Sequence, residues 1–369
     1  MRIRGLSLAV LVPAVQAGSP SHIDLTGKPD RTIEEPFTMV TGVRELPGNR
    51  AIVTDQFERA VYMVDFSTGT RRQVGRQGDG PAEYRFPMEP MPASGGRTWI
   101  LDAMLRRIHV IEADGAFGPS LTPPYAATPG GLLAARGVDA SGRIYFEGNS
   151  FNSETGRFSD SVAVIRWNPA TNVTETLGKV WSGGRVMVDR NGSRASVARV
   201  ATPFPHVDAW TPLPDGRVAV VRQNPHQIVV LEMGNVMRPG PVIPHTPVPV
   251  TTAEKAAYRE QRSSARMVAA GGSQTGRAPP VSDAEFPEFM PPFVATSVTR
   301  AGGTLWIGES FRVSDQTRRY RLHDPQGRQV GRATLPRNSR VAGISDDFIY
   351  VARTDPSDDL VYLERHRRR

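Results

Sequence analysis

Apolar and polar positions alternate along this chain in short paired runs, and the pair recurs six times. Each copy starts at a turn rich in Gly, Asp or Asn, follows an alternating strand, breaks at polar residues and resumes in a second strand. The first runs are Asn49-Arg50-Ala51-Ile52-Val53, Gly96-Arg97-Thr98-Trp99-Ile100, Ser141-Gly142-Arg143-Ile144-Tyr145-Phe146, Asp215-Gly216-Arg217-Val218-Ala219-Val220, Gly303-Thr304-Leu305-Trp306-Ile307 and Asp347-Phe348-Ile349-Tyr350-Val351. The second runs occupy 60–64, 107–111, 162–165, 227–231, 319–322 and 360–363. With Ile52, Trp99, Tyr145, Ala219, Trp306 and Tyr350 as equivalents, the spacings are 47, 46, 74, 87 and 44 residues. A period of about 45 residues with two enlarged intervals marks the blades of a propeller.

The expected fold is therefore all-β, a six-bladed β-propeller of four-stranded antiparallel blades that takes up the chain as one domain. The paired runs supply the second and third strand of each blade. First strands are expected at 37–43, 88–93, 132–138, 206–211, 293–299 and 340–345. Only six residues follow Leu363, too few for a fourth strand in the last blade. Residues 23–34 have no blade of their own, so this N-terminal segment is expected to pair with the last blade and close the ring, which protects an otherwise open edge.

The two long intervals locate insertions. Residues 149–161 form a polar loop between a second and a third strand. Arg185-Val186-Met187-Val188 and Ala195-Ser196-Val197-Ala198-Arg199-Val200 flank Asp189-Arg190-Asn191-Gly192 and read as a hairpin. In the stretch 244–285, Thr251-Thr252-Ala253-Glu254 has the spacing of a capping box and predicts a helix from Ala253 to about Val268, followed by a Gly-rich linker over 271–280. In a four-stranded meander, loops joining second to third strands emerge on the same face as connections between blades. All three insertions fall in such loops, so the binding face is expected there, around blades three to five.

Composition changes the picture in three places. The start Met1-Arg2-Ile3-Arg4, the apolar stretch 5–15 and Val15-Gln16-Ala17 read as a secretory signal peptide over 1–17, which predicts a periplasmic or secreted protein spanning 18–369. Cysteine is absent, so disulfides, thiolate nucleophiles and Cys-ligated metals are excluded. The net charge of +8 rests on 45 basic residues, of which only Lys28, Lys179 and Lys255 are lysine. The arginines are dispersed through the turns, with the C-terminal run 365–369 as their one cluster, so no nucleic-acid partner is expected. No stretch after the leader suits a membrane span, and a monomer is expected.

Gly75-Arg76-Gln77-Gly78-Asp79-Gly80-Pro81-Ala82-Glu83-Tyr84-Arg85-Phe86-Pro87 is the most specific motif. It resembles the loop G-x-x-G-x-G-P-G-E-[FY]-x-x-P of the bacterial exported six-bladed β-propeller family, related to NHL-repeat and TolB-like propellers. Trp99-Ile100-Leu101-Asp102, Ala209-Trp210-Thr211, Pro247-Val248-Pro249-Val250-Thr251 and Pro291-Pro292-Phe293 are similar to further parts of that family, so the resemblance covers residues 23–364. It implies the fold and an export route, and no particular reaction. Ala82 stands where the family has glycine, which predicts a backbone without positive φ there.

Candidate ligand-binding residues are Glu83, Arg85, Glu89, His206, Asp208, Trp210, Phe293 and Arg340. Glu83 also suits a purely structural role in its loop. His206 and Asp208, two apart on an expected strand, would share a face. Trp210 and Phe293, on inner strands, would be available to the channel. Fold-related lactonases hold a divalent metal with Glu, Asn and Asp at inner-strand ends. The corresponding positions here offer Glu35, Glu89, Gly131, His206, Asp208, Pro291 and Arg340, without the asparagines. No metal or other cofactor is expected, and no serine-hydrolase elbow, phosphate loop or dinucleotide fingerprint is present. The expected function is noncatalytic binding of a small molecule or protein on the loop face. The alternative is a metal-dependent hydrolase, lactonase or lyase, which would require three or more Asp, Glu, Asn or His side chains converging at the channel mouth.

Overall fold

A computed structural model describes residues 21–125, 132–152, 157–183, 185–191, 194–200, 202–264 and 281–368. The expected signal peptide, Gly131, Gly192 and the linker 271–280 lie outside the described residues.

Six antiparallel sheets follow one another along the chain. Blade one is a meander of Val40–Leu46, Arg50–Asp55, Ala60–Asp65 and Thr70–Gln73. Blade two pairs Pro87–Pro92, Thr98–Asp102 and Arg107–Ile111, and bridges from Phe117 and Leu121 form its outer edge. Blades three to six have inner strands Leu132–Val138, Ala209–Pro212, Phe293–Ala301 and Ser339–Ile344. Each inner strand contacts those of the blades before and after it, and the inner strand of blade six contacts that of blade one, so the ring is closed. The protein is a six-bladed β-propeller.

Side-chain alternation explains how blades stack. Ile52, Trp99, Tyr145, Ala219, Trp306 and Tyr350 each enter the cluster shared with the following blade. Their neighbours Val53, Ile100, Phe146, Val220, Leu305 and Val351 enter the cluster shared with the preceding one. A second strand is thus buried on both faces, which is why these runs read as nearly continuous apolar sequence. Six interfaces give six apolar clusters, and each fully buried Leu, Ile or Phe stabilises by about 1.5–3 kcal/mol.

Where the inner strands crowd together, side chains disappear. A Cβ on Gly42 would lie 2.8 Å from Pro90 of blade two, and one on Gly137, at φ 143°, would lie 3.0 Å from Pro212 of blade four. Ladder irregularities fall beside these glycines, between Val40 and Gly42 and between Ala135 and Gly137, and they re-aim the intervening residue.

The N-terminal segment meets two blades. Arg31–Thr32 pairs antiparallel with Arg365 and Glu364 of the last strand, Val361–Arg367. Ser21–Asp24 instead runs parallel to Gln329–Pro336 on the outer edge of blade five, so Ile23 and Asp24 lie there and not beside the last blade.

The insertions form where the patterning placed them. Phe151–Asn152 and Arg157–Phe158 make a short ribbon, and Arg185–Asn191 pairs with Arg194–Val200 as a hairpin. The helix spans Thr252–Ser264, and the rest of its expected length lies outside the described residues. Glu254 accepts the Thr251 N–H at 3.1 Å, completing one half of the expected box.

Candidate functional site at the channel mouth

The glycine-rich connection between blades one and two is consumed by its own geometry. Gly78 sits at φ 150°, and a Cβ there would collide with the Glu83 carboxylate. Glu83 accepts the Gly80 N–H at 2.8 Å and the Arg76 Nε–H at 2.7 Å. Its N–H and arginine donors hold its pKa below the usual carboxylate range. Arg85 forms a two-pronged ion pair with Asp79, and Arg107 donates to the Glu83 carbonyl at 2.9 Å. Glu83 and Arg85 are therefore loop-building residues, each already paired. Ala82 has no positive φ, as its side chain requires.

His206 and Asp208 do not share a strand. Pro203 and Pro205 remove backbone donors just upstream, and the ladder begins only at Ala209. The segment turns to Trp181 instead: the His206 carbonyl accepts its Nε1–H at 3.1 Å, and the Asp208 N–H donates to its carbonyl at 3.2 Å. Asp208 accepts the Gln223 N–H at 3.3 Å and lies 3.6 Å from Arg222 Nε. Burial raises its pKa, and those two partners offset part of the rise. Trp210 and Phe293 are core residues. Trp210 packs between blades three and four, and Phe293 is fully buried between blades four and five with its ring 5.6 Å from that of His226.

Glu89 and Arg340 do meet the channel. Glu89 stands at the irregularity in the inner strand of blade two, open to solvent yet walled by protein, as a channel-lining residue is. That enclosure raises its pKa, while Arg136 of blade three and Arg340 of blade six pull it down. Charges from three blades thus converge. At the opposite end, Arg300 of blade five donates to the Val138 carbonyl of blade three at 3.2 Å and to Gly302 at 2.7 Å. This side chain thus reaches from blade five to blade three across the end of blade four.

Between blades six and one the mouth widens into a pocket of about 400 Å³. Thr38 and Met39 lead into the inner strand of blade one, Ser339 and Arg340 begin that of blade six, Phe57 stands on a loop joining second and third strands, and Arg318 comes from blade five. Met39 and Phe57 are 39% and 43% exposed, an apolar rim at a cationic base. The Arg318 guanidinium lies 4.5 Å from the Phe311 ring centroid. Among the described residues, neither Arg318 nor Arg340 has a side-chain hydrogen bond or ion pair, and Arg318 Nε and Ser339 Oγ are buried without partners. Burial lowers the pKa of both arginines; at Arg318 the charges of Arg340 and Arg337 add to it, and at Arg340 Glu89 opposes it. The base of the pocket therefore holds two guanidinium groups with no anionic partner in contact, although the Asp359 carboxylate also lines the pocket. Arg340 was legible as the start of an inner strand. Arg318 was not, because Thr317-Arg318-Arg319-Tyr320-Arg321 reads as an ordinary strand with solvated arginines.

The helical insertion belongs to the neighbouring rim. Tyr258 packs against Phe204 and Phe286 at ring distances of 5.6 and 5.5 Å, and Arg259 pairs with Asp283. Glu254 also accepts the Val313 N–H of blade five at 3.2 Å. The helix is thereby fixed over blades four and five, near His206, and no residue of it lines the pocket between blades six and one. Among the described residues, no three His, Asp or Glu side chains are arranged to hold a metal ion.

No protein-family profile matches the chain, and no curated protein matches it. Solved structures do. A Bacteroides fragilis protein provisionally described as exported aligns at 11% identity over 94% of this chain and 99% of its own, with a TM-score of 0.49. A gluconolactonase from Xanthomonas campestris aligns at 11% identity over 95% and 98%, with a TM-score of 0.47. Virginiamycin B lyase from Staphylococcus aureus aligns at 11% identity over 91% and 98%, with a TM-score of 0.43. The likeness is one of fold. Identities this low transfer no activity. No helix among the described residues is long and apolar enough to cross a membrane.

Proposed function

We propose that this protein is an exported, noncatalytic propeller whose channel mouth binds a small amphipathic anion. The observation that carries the reading is the pair Arg318 and Arg340, two partly buried guanidinium groups with no anionic partner in contact. An unpaired buried charge is costly, and a bound carboxylate or phosphate relieves that cost through charge-assisted hydrogen bonds. Met39 and Phe57 supply the apolar surface for the rest of such a molecule. The leader-like sequence of residues 1–17 supports export. Hydrolysis, the alternative, needs a convergent set of metal-ligating or acid/base side chains, and the mouth is instead dominated by arginine.

Calorimetric titration of the mature protein with octanoate and with phenylacetate tests the reading. Saturable binding to at least one is expected, weakened tenfold or more in Arg318→Ala and Arg340→Ala, a loss of about 1.4 kcal/mol or more. Failure of both probes to bind, or affinities indifferent to both substitutions, removes the proposal.

A further inference from the structure

A groove of about 770 Å³ runs along the outer flank of blade five, and the ring alone does not make it. One wall is the stalk of the helical insertion, whose two limbs are bonded to each other: Met290 N–H donates to the Val248 carbonyl at 2.8 Å and Val250 N–H to the Glu288 carbonyl at 2.9 Å. The floor comes from the third and fourth strands of blade five, and the far wall is the parallel strand Ser21–Asp24. The insertion and the N-terminal strand are both departures from a minimal blade, and together they frame this space.

Its charge is unbalanced. Four guanidinium groups line it, those of Arg312, Arg319, Arg321 and Arg332, against the single carboxylate of Glu309. Glu309 is already engaged by Arg321 and lies 3.6 Å from Arg319 Nε. Arg312 and Arg332 are exposed, and among the described residues their side chains have no hydrogen-bond or ion-pair partner. Met290, Pro291 and Pro292 give the opposing wall a rigid apolar surface. A volume of this size suits a small molecule, since such sites typically span about 300–1,000 Å³. Guanidinium forks select planar or tetrahedral oxyanions.

We infer that this groove is a second binding site, separate from the channel mouth, for a small molecule carrying two or more carboxylate or phosphate groups. Arg312 and Arg332 supply its free donors, and Arg319 and Arg321 share Glu309 with it. The chemistry common to polycarboxylates and polyphosphates is what the site reads, and titration with citrate in one arm and pyrophosphate in the other assigns the source.

The expected result, with the full mature chain, is one-to-one binding of at least one probe that weakens as salt is raised. The double substitution Arg312→Ala/Arg332→Ala should reduce affinity at least tenfold without moving the melting temperature, because both side chains are exposed and unpaired. Arg312→Lys/Arg332→Lys should retain part of the affinity, whereas Arg318→Ala/Arg340→Ala at the channel mouth should leave it unchanged. The inference is overturned if neither probe binds, if the double alanine variant binds as the parent does, or if only the channel-mouth variant loses binding.

Discussion

Asp55 and Asp102 hold the same place in successive blades: each ends a second strand and turns its carboxylate onto backbone N–H groups. Asp55 accepts from Thr38 and Met39 at 2.9 Å and from Phe57 and Glu58 at 3.0 Å. Asp102 accepts from Arg85 at 2.6 Å, Leu105 at 2.9 Å and Met104 at 3.0 Å, and it has an imidazole besides, with His109 Nε2 3.6 Å from its Oδ2. One carboxylate thus ties a strand end, the following turn and the start of an inner strand together. Burial raises the pKa of Asp55 in spite of its donors. At Asp102 burial acts in the same direction, but His109 and the N–H groups of Leu105, Arg85 and Phe86 overcome it and hold the pKa at about 2.

Asp102→Ala should therefore destabilise the protein by about 3 kcal/mol at pH 7, because several hydrogen bonds to a charged acceptor are lost at once. A carboxyl whose folded pKa is depressed contributes stability above its unfolded value, and that contribution fades as pH falls toward the folded one. The gap between parent and variant in urea midpoint should accordingly narrow from pH 5 down to pH 2. A gap that stays constant over this range would show that the charge is not what holds the corner together.

The ring was legible because its rule is periodic. Ile52, Trp99, Tyr145, Ala219, Trp306 and Tyr350 face one way round the circle, and a strand buried on both faces leaves an apolar run in the sequence. The site was legible only in part. Glu89 and Arg340 could be found from their place on inner strands, whereas Glu83 and Arg85 carry charges that their own loop neutralises, a pairing fixed by the turn at Gly78 and invisible in residue types. Trp210 and Phe293 look alike in sequence whether they face a channel or a neighbouring blade. Arg318 depends on a contact between blades five and six, which no local pattern encodes.

Histidines make the junction of blades four and five sensitive to acid. His226 and His323 line a small space with His245, Glu309 and Arg321, and each places Nδ1 against a backbone carbonyl, Arg222 at 3.1 Å and Gly327 at 3.0 Å. Burial lowers both pKa values, with the positive charge of Arg321 adding to it, and His226 falls to about 4. Both are neutral in the fold and become charged on unfolding below about 6.5. Stability should be complete above that pH and should fall as pH drops toward 4, by about 3 kcal/mol for His226 alone. In His226→Gln, whose amide can still reach the Arg222 carbonyl, melting temperatures between pH 6.5 and 4 should vary less than in the parent. Parallel curves would contradict the assignment.

Glu254 serves two structures at once, the cap of its helix and the backbone of Val313 in blade five. Glu254→Ala should loosen both, at a cost of about 1–2 kcal/mol typical of a lost cap. Because the helix stands outside the ring, amide exchange should quicken over 252–264 while the core strands, such as Val218–Gln223, stay protected. Octanoate or phenylacetate affinity at the mouth between blades six and one should not move, since no helix residue lines it. A change there would mean that the helix acts on the mouth as a lid.

A short N-terminal stretch pairs with the last strand of blade six, and its weight is testable by length. Asp30 N–H donates to the Arg365 carbonyl at 2.7 Å, Ile33 N–H to Leu363 at 2.9 Å and Phe37 N–H to Val361 at 2.7 Å. Arg365 Nη2 meets Asp30 Oδ2 at 2.6 Å, and Ile33 and Phe37 are fully buried in the cluster between blades six and one. The preceding Ser21–Asp24 is mostly exposed and lies on a different blade. Deleting residues 18–24, which keeps the buried Leu25, should therefore cost little, because blade five retains its own four strands. Deleting 18–36 removes Ile33 and the pairing of Arg31 and Thr32, and exposes the outer edge of blade six. The loss of several kcal/mol should lower the melting temperature by on the order of 10 °C and promote association through the free edge. Equal melting curves for the two deletions would mean that the last blade stands without its N-terminal partner.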